Sequence, residues 1–558
     1  MHKLKLQGLR ALYEPKLVTV LRHGYGASEL RRDLMAGLTV AIVALPLAMA
    51  LAIASGTSPE KGLHTAIVAG FLISVFGGSR VQIGGPTAAF IPVVFGIVEK
   101  FGFGGLILCT LLAGFLLIAA GLLRLGRFMK FIPQPVITGF TAGIAVSILG
   151  SQVKDFFGLH MNTVPAEFFA RWAAYAQHWQ TFSTSAMGLA VMCIAVIVGL
   201  RRWQPKWPGF LLVVIAASIA AAYAGLAVDT IGTRFGNLPS GLPQFALPVI
   251  PFERTFELLP SACTIAFLAG VESLLSAVVA DGMMGGHHRS NGELVAQGIA
   301  NIGSALCGGL PATGALARTA VNIRSGGRSP VAGMAHAAFL LVFMLLLAPL
   351  MAYVPLPALA AVLLIVAWQM SDIESFRYLL KGPLGDRLVL LVTFGLTVTC
   401  DLTVAIEVGM VLSAFVFMHR MSDVAQFKNS GVSDDDEGDI DLRAPLPPQV
   451  ATFRMDGPLF FAVTGHLDEM LDLLPRTPEV FILQLDQVPM IDASGARCLQ
   501  NFLDRCRHHG THVILCGLRT QPRRVLAQMH VTDGGRPLSV AKTFLDATKM
   551  AEKSPNRV

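Results

Sequence analysis

From residue 34 to residue 419 the chain alternates apolar runs with short polar stretches. The runs fall at about 34–54, 63–78, 87–99, 103–123, 132–150, 186–203 and 209–227, then at about 261–280, 294–308, 314–323, 330–350, 356–371, 387–401 and 403–419. Such runs predict helices that cross a bilayer, whose hydrocarbon core of roughly 30 Å takes about 20 helical residues. The runs that start at Thr87 and Gly314 are too short to cross alone and predict half-helices. Each follows a break imposed by Gly and Pro. The first is Gly84-Gly85-Pro86-Thr87-Ala88-Ala89-Phe90, and the second runs from Gly308-Gly309-Leu310-Pro311 through Arg318-Thr319. Seven spans in each set, an odd number, put the two sets in opposite orientations, which is an inverted repeat. The fold class expected is a membrane all-α domain of 14 segments in a 7+7 inverted repeat.

Paired interruptions in two halves mark a transporter's substrate site. A restarted helix turns unpaired N–H groups and the positive end of its dipole toward the gap, so the expected occupant is an anion. Arg318, about one turn past the second break, adds a full positive charge; its other reading is a structural ion pair, because a charge at membrane depth needs a cavity or a partner. The candidate substrate contacts are Thr87 and Ala88 on the first start, with Ala315, Leu316, Ala317 and Arg318 on the second. Leu47 joins them, since Pro46 inside the first span predicts a kink that opens room, although membrane helices also accept Pro as ordinary packing.

Glu272 lies in the otherwise apolar stretch Phe267–Ala277. An intramembrane carboxyl binds a cation, carries a proton, or only balances a charge such as Arg318. The first two uses make it the candidate ion-coupling group, and Ser276, at i+4 on the same helix face, is a second oxygen for that role. Thr313 reads as readily as a helix cap. Asp401 is placed at a membrane edge and Glu407 within a span, without assigned roles. His287-His288 point apart on a helix and have no third ligand nearby, so they read as a solvated loop end and no metal site is expected. No nucleophile–base constellation, P-loop or GxSxG occurs, which leaves an enzyme reading without support.

Composition sharpens this picture. The chain is 53% hydrophobic and 14% charged, against about 25% charged in soluble domains. The net charge of +7 comes without a basic stripe interleaved with aromatics, so nucleic acid is not an expected partner. Residues 1–33, with Lys3, Lys5, Arg10, Lys16, Arg22, Arg31 and Arg32, form a cytoplasmic tail too polar for a cleaved signal peptide. With that tail inside, thirteen Lys and Arg fall in inner loops (Arg127, Lys130 and Lys206 among them) and six in outer loops. That obeys the positive-inside rule and puts both termini in the cytoplasm of a cell inner-membrane protein. The 8 cysteines show no ligand spacing and are read as free thiols.

After Arg420 the pattern changes. Residues 421–447, with Asp434-Asp435-Asp436-Glu437 and Pro445, read as a linker. From 448 to about 550, strands such as Val480–Leu485 and His512–Cys516 alternate with helices opened near Ser494-Gly495 and Pro522, which predicts a small open α/β sheet before a short tail, 551–558.

The stretches Gly84-Gly85-Pro86-Thr87-Ala88-Ala89, Val271-Glu272-Ser273-Leu274-Leu275 and Ala317-Arg318-Thr319 resemble those of the SulP (sulfate permease) family of anion transporters, and Ile491-Asp492-Ala493-Ser494-Gly495 resembles the STAS domain that follows in that family. The resemblance covers nearly the whole chain. It implies a uracil-permease-like fold in which a core domain of segments 1–4 and 8–11 moves against a gate domain of segments 5–7 and 12–14. The third and tenth segments then meet across the substrate, at positions matching Thr87 and Ala315 to Arg318. It also implies a homodimer in a lipid bilayer. Sodium-coupled bicarbonate members carry Asp at the position of Glu272, so Glu here points to H+ rather than Na+ as the coupling ion. Glu272–Met283 with Asn291–Gly298 most resembles the bacterial C4-dicarboxylate branch, which takes up fumarate and succinate with protons. Ala493 departs from the STAS domains that act as phospho-switches, which carry Ser there. The domain is thus expected to serve dimer architecture or a cytoplasmic protein partner.

The expectation is a secondary active anion transporter working by elevator-type alternating access, taking up a C4-dicarboxylate with protons and using no cofactor. Sulfate or bicarbonate, with sodium coupling or none, is the alternative within the class. An anion channel and a membrane sensor are the alternatives outside it.

Overall fold

The computed structural model describes residues 12–126, 133–161, 164–165, 167–204, 207–236, 252–400, 402–424, 426–429, 449–460, 478–533, 535–536 and 538–552. Arg127, Lys130, Lys206, Asp401 and the acidic, Pro-rich stretch 430–448 lie outside the described residues. The chain divides into two compact units, residues 1–411 and 412–558.

Every expected span coincides with a helix. The first set is α1 (Ala27–Ala54), α2 (Pro59–Phe76), α3 (Ile91–Leu122), α4 (Gln134–Ser151), α5 (Thr184–Trp203) and α6 (Gly209–Tyr223). The third and fourth spans form the single element α3, broken in its backbone only at Gly102, where φ is 68°. The second set is α7 (Thr255–Met284), α8 (Ser290–Leu306), α9 (Leu316–Arg324), α10 (Pro330–Met351), α11 (Leu356–Met370), α12 (Leu384–Thr399) and α13 (Leu402–Val424). Among the described residues, eight helices are individually long and apolar enough to cross a membrane.

Several details differ from expectation. Helix α1 starts at Ala27 rather than near residue 34, because Arg31 and Arg32 stay exposed while Asp33 is buried. Asp33 accepts hydrogen bonds from Tyr25 Oη at 2.9 Å, from the Arg328 N–H at 2.9 Å and from Ser329 Oγ, which ties the start of α1 to the start of α10. Pro46 lies inside an uninterrupted α1. Short helices at Lys16–Arg22, Phe168–Gln177 and Ile373–Leu380 have no counterpart in the hydropathy reading, since they are apolar on one face at most. Glu407, expected within a span, has an exposed side chain. None of the eight cysteines is in a disulfide; six are buried, and Cys263 and Cys400 are exposed.

The helices sort into two packed groups. In one, α1, α2 and α3 pack against α7, α8 and α10, and α9 lies against α1 and α7. In the other, α4, α5 and α6 pack against α11 and α12. Helix α1 touches both groups, through α6 and α11. Fully buried alanines such as Ala36, Ala44, Ala48, Ala269 and Ala300 line the first group, and small side chains are what let membrane helices approach closely.

The first group also contains a two-stranded sheet. Strands β1 (Gly84–Gly85) and β2 (Thr313–Gly314) pair antiparallel, with Gly84 opposite Gly314 and Gly85 opposite Thr313. Both strands are buried. Antiparallel pairing is what two equivalent breaks produce when their repeats run in opposite directions.

The second unit holds a five-stranded sheet: β3 (Gln426–Asn429), β4 (Val450–Asp456), β5 (Val480–Gln487), β6 (His512–Cys516) and β7 (Ser539–Ala541), in that order. Only the β3–β4 pairing is antiparallel, and β3 falls in the stretch read from the sequence as linker. Helix α14 (Ala493–His508) buries Leu499, Phe502 and Leu503 against β4–β6, and Asp492 caps it by accepting from the Gly495 N–H at 2.7 Å. Such a cap is worth about 1 kcal/mol.

Candidate functional site

Behind each strand of the small sheet a helix begins. After β1 comes Pro86, then Thr87, a 3-10 turn at Ala88–Phe90, and α3. After β2 comes Ala315, then α9. Neither start has a side-chain cap, so the first N–H groups of both helices are left for another acceptor.

The glycines are dictated by close approach. A Cβ on Gly85 would lie 2.4 Å from Arg318 Nη1, and its φ of +151° is one that other residues rarely adopt. A Cβ on Gly314 would lie 1.4 Å from Gln82 Nε2. The missing side chains therefore leave room for the guanidinium beside β1 and for the Gln82 side chain beside β2.

Arg318 is buried at 3% exposure. Its Nη2 donates to the Pro86 carbonyl at 2.8 Å, across from α9 to the first break. Its Nε and Nη1 are buried without a hydrogen-bond partner among the described residues. Glu272, on α7, accepts at Oε2 from the Thr87 hydroxyl at 2.9 Å. The hydrogen bonds of Glu272 and Arg318 thus go to Thr87 and Pro86 rather than to each other. A buried guanidinium with unused donors beside two uncapped helix starts is an arrangement that can hold an oxyanion.

The remaining candidates distribute as follows. Ala88 and Ala315 are buried at the two starts, and Leu47 packs in the same core cluster as Ala88. Leu316 and Ala317 are exposed on the first turn of α9. The Ser276 hydroxyl donates to Thr319 Oγ1 at 3.4 Å. Thr313 is not a cap, because Ala315 is the N-cap of α9. Its hydroxyl donates to the Ala269 carbonyl at 3.0 Å and lies 2.6 Å from Ser273 Oγ. His288 is not a free loop end either, since Nδ1 lies 2.7 Å from Asp281 Oδ2 and Nε2 2.9 Å from Ser290 Oγ. No group of residues able to hold a metal occurs among the described residues.

Sequence reasoning missed the residues that hold the two breaks extended. The Ile83 N–H donates to Thr319 Oγ1 at 3.1 Å, and Asn322 Nδ2 donates to the Val81 carbonyl at 2.8 Å, so α9 itself grips the first break. The Gly314 N–H donates to Ser273 Oγ at 3.0 Å. On α8, Asn301 binds the backbone of the second break at Ala312, and Glu293 accepts from the Gly78 and Ser79 N–H groups in the turn that leads from α2 toward the first. The available signal was the polar file Glu293, Gln297, Asn301 at i, i+4 and i+8 within an apolar span.

Broken helices crossing inside a multi-pass helical membrane unit define a membrane transporter whose site favours anions. Residues 30–393 match the sulfate permease family and residues 441–544 match the STAS domain. The chain belongs to the sulfate permease family, whose members are transporters rather than enzymes. It is similar to "Putative sulfate transporter YvdB" of Bacillus subtilis (strain 168), at 40% identity over 505 residues, covering 90% of this chain and 94% of the relative. It is also similar to "Bicarbonate transporter BicA" of Synechocystis sp., at 29% identity over 518 residues, covering 90% and 91%. Among solved structures, the transmembrane domain of a cyanobacterium bicarbonate transporter BicA aligns with a TM-score of 0.63 and 30% identity, covering 70% of this chain and 98% of that one. The overall structure of SLC26A9 aligns with a TM-score of 0.84, covering 99% and 95%. At 18% identity that likeness is one of fold.

Proposed function

We propose that this anion transporter is a secondary active carrier that binds its substrate between the starts of α3 and α9 and couples uptake to protons through Glu272. The observation that carries the reading is the buried Arg318 guanidinium, with Nε and Nη1 unpartnered, beside the Thr87–Glu272 hydrogen bond. An ionised Glu272 repels an anion at Arg318, whereas a protonated Glu272 leaves the site with the Arg charge alone. Proton and anion therefore favour each other's binding, and by linkage each raises the affinity of the other equally. Movement of the α1–α3 and α7–α10 group against the α4–α6 and α11–α12 group would carry the loaded site across the bilayer.

A C4-dicarboxylate such as fumarate suits two helix starts that oppose one another, one for each carboxylate, with Arg318 adding its charge. The sequence resemblance around Glu272–Met283 points the same way. A second reading, sulfate or bicarbonate, is favoured by what the relatives named above are said to carry. The protein is further proposed to be a homodimer of the cytoplasmic membrane with both termini inside, its STAS domain serving assembly or a cytoplasmic partner.

The test is uptake of labelled fumarate into proteoliposomes with and without an inward proton gradient, sulfate and bicarbonate being offered as competitors. Gradient-stimulated uptake that neither inorganic anion suppresses is the expected result. Sulfate or bicarbonate uptake by the same vesicles, without fumarate uptake, would replace the substrate and keep the site.

A further inference from the structure

A ladder of two residues per strand cannot hold its own geometry, since even a full hairpin is marginal in isolation. The two breaks must be kept extended by something else: Thr319 and Asn322 of α9 hold the approach to the first, and Ser273 of α7 with Asn301 of α8 holds the second. Asn301 Oδ1 accepts from the Ala312 N–H at 2.9 Å, while its Nδ2 donates to the Ala312 carbonyl at 2.8 Å and to the Gln297 carbonyl at 2.8 Å. The amide thus makes on one residue the two bonds that a neighbouring strand would make. Both of its donors and its oxygen are engaged, and the side chain is fully buried. Ala312 immediately precedes β2, which fixes β1 through the Gly85–Thr313 register and leads directly into Ala315 and Arg318.

We propose that Asn301 is a positioning residue for the anion site: standing in for a third strand behind β2, it sets the spacing between the two helix starts without reaching the anion. The proposal rests on the anion position argued above. Because donors aimed at a charge lose effect steeply when displaced, Asn301→Ala should raise the KM for the anion on the order of tenfold while Vmax falls less than about threefold. A residue that acts through the placement of Arg318 has little left to lose once that side chain is gone. The KM of Arg318→Ala/Asn301→Ala should therefore match that of Arg318→Ala, where independent damage would add.

The experiment uses the full chain in proteoliposomes, with two readouts. Hydrogen–deuterium exchange of residues 81–87 and 310–316 reports the strands whatever anion is carried, and the concentration dependence of labelled fumarate and labelled sulfate uptake reports the site. Faster exchange in both windows for Asn301→Ala, unchanged exchange in α5, and the non-additive KM are the expected results. Unchanged exchange at 81–87, an additive double variant, or a lowered Vmax at unaltered KM would each overturn the positioning role. Asn301→Gln, longer by one methylene, carries the same test with a smaller KM change if the Ala variant does not fold. An unaltered KM in Arg318→Ala alone would count against the anion position itself, and the exchange at 81–87 would then decide the role of Asn301 by itself.

Discussion

The two breaks are alike in backbone and unlike in side chains. Each runs Gly-rich and extended into an uncapped helix start, and the two pair strand to strand. The first carries no charge; its hydroxyl, Thr87, goes to Glu272. The second carries Arg318, whose guanidinium reaches back to the Pro86 carbonyl of the first. Repeat symmetry thus supplies the paired strands and the two positive helix ends, and departure from symmetry supplies the chemistry. The magnitudes agree with that division: a helix end is worth up to about 2 kcal/mol toward an anion, while truncating a buried charge that meets its partner costs roughly 2–5 kcal/mol.

The sharpest way to break the comparison is to remove the coupling carboxyl. Glu272→Gln should abolish stimulation of uptake by a proton gradient while sparing anion binding; stimulation that survives intact would move coupling to another group. Next in size is Arg318→Ala, expected to raise the KM on the order of a hundredfold. A change of only a few-fold would mean that the helix ends, and not the asymmetric charge, hold the anion. Gly85→Ala should follow, at about tenfold in uptake, because its Cβ would lie 2.4 Å from Arg318 Nη1; Gly96→Ala in α3, where nothing lies within 4 Å, serves as the neutral control. Smallest is Thr87→Val, which removes one hydrogen bond, worth about 1 kcal/mol or roughly fivefold in uptake at neutral pH. Equal loss at every pH would separate Thr87 from the proton step, whereas loss confined to the pH range where Glu272 titrates would join them.

Much of this architecture was legible along the chain. The spans were, and so were the two breaks, Arg318, Glu272 and the change of composition after Arg420. A bilayer demands that each backbone polar group be satisfied within its own segment, so spanning helices announce themselves as apolar runs. The same demand makes a Gly-Pro interruption or a charge at membrane depth conspicuous. Helical spacing put Ser276 on the face of Glu272 but carried no sign that Thr319, on another helix, takes its hydroxyl. Thr313 was likewise assigned to its own helix start, whereas it bonds across to α7.

The sequence by itself determined what is local: which stretches cross, where they break, and which charges the membrane must accommodate. Tertiary structure alone decided what each polar group binds. The β1–β2 register, the reach of Arg318 to Pro86, the Thr87–Glu272 bond and the Asn301 clasp on Ala312 all join residues far apart in the chain. Their energies come from burying hydrogen-bonding groups together, and no periodicity within one segment encodes which partner the other repeat will bring.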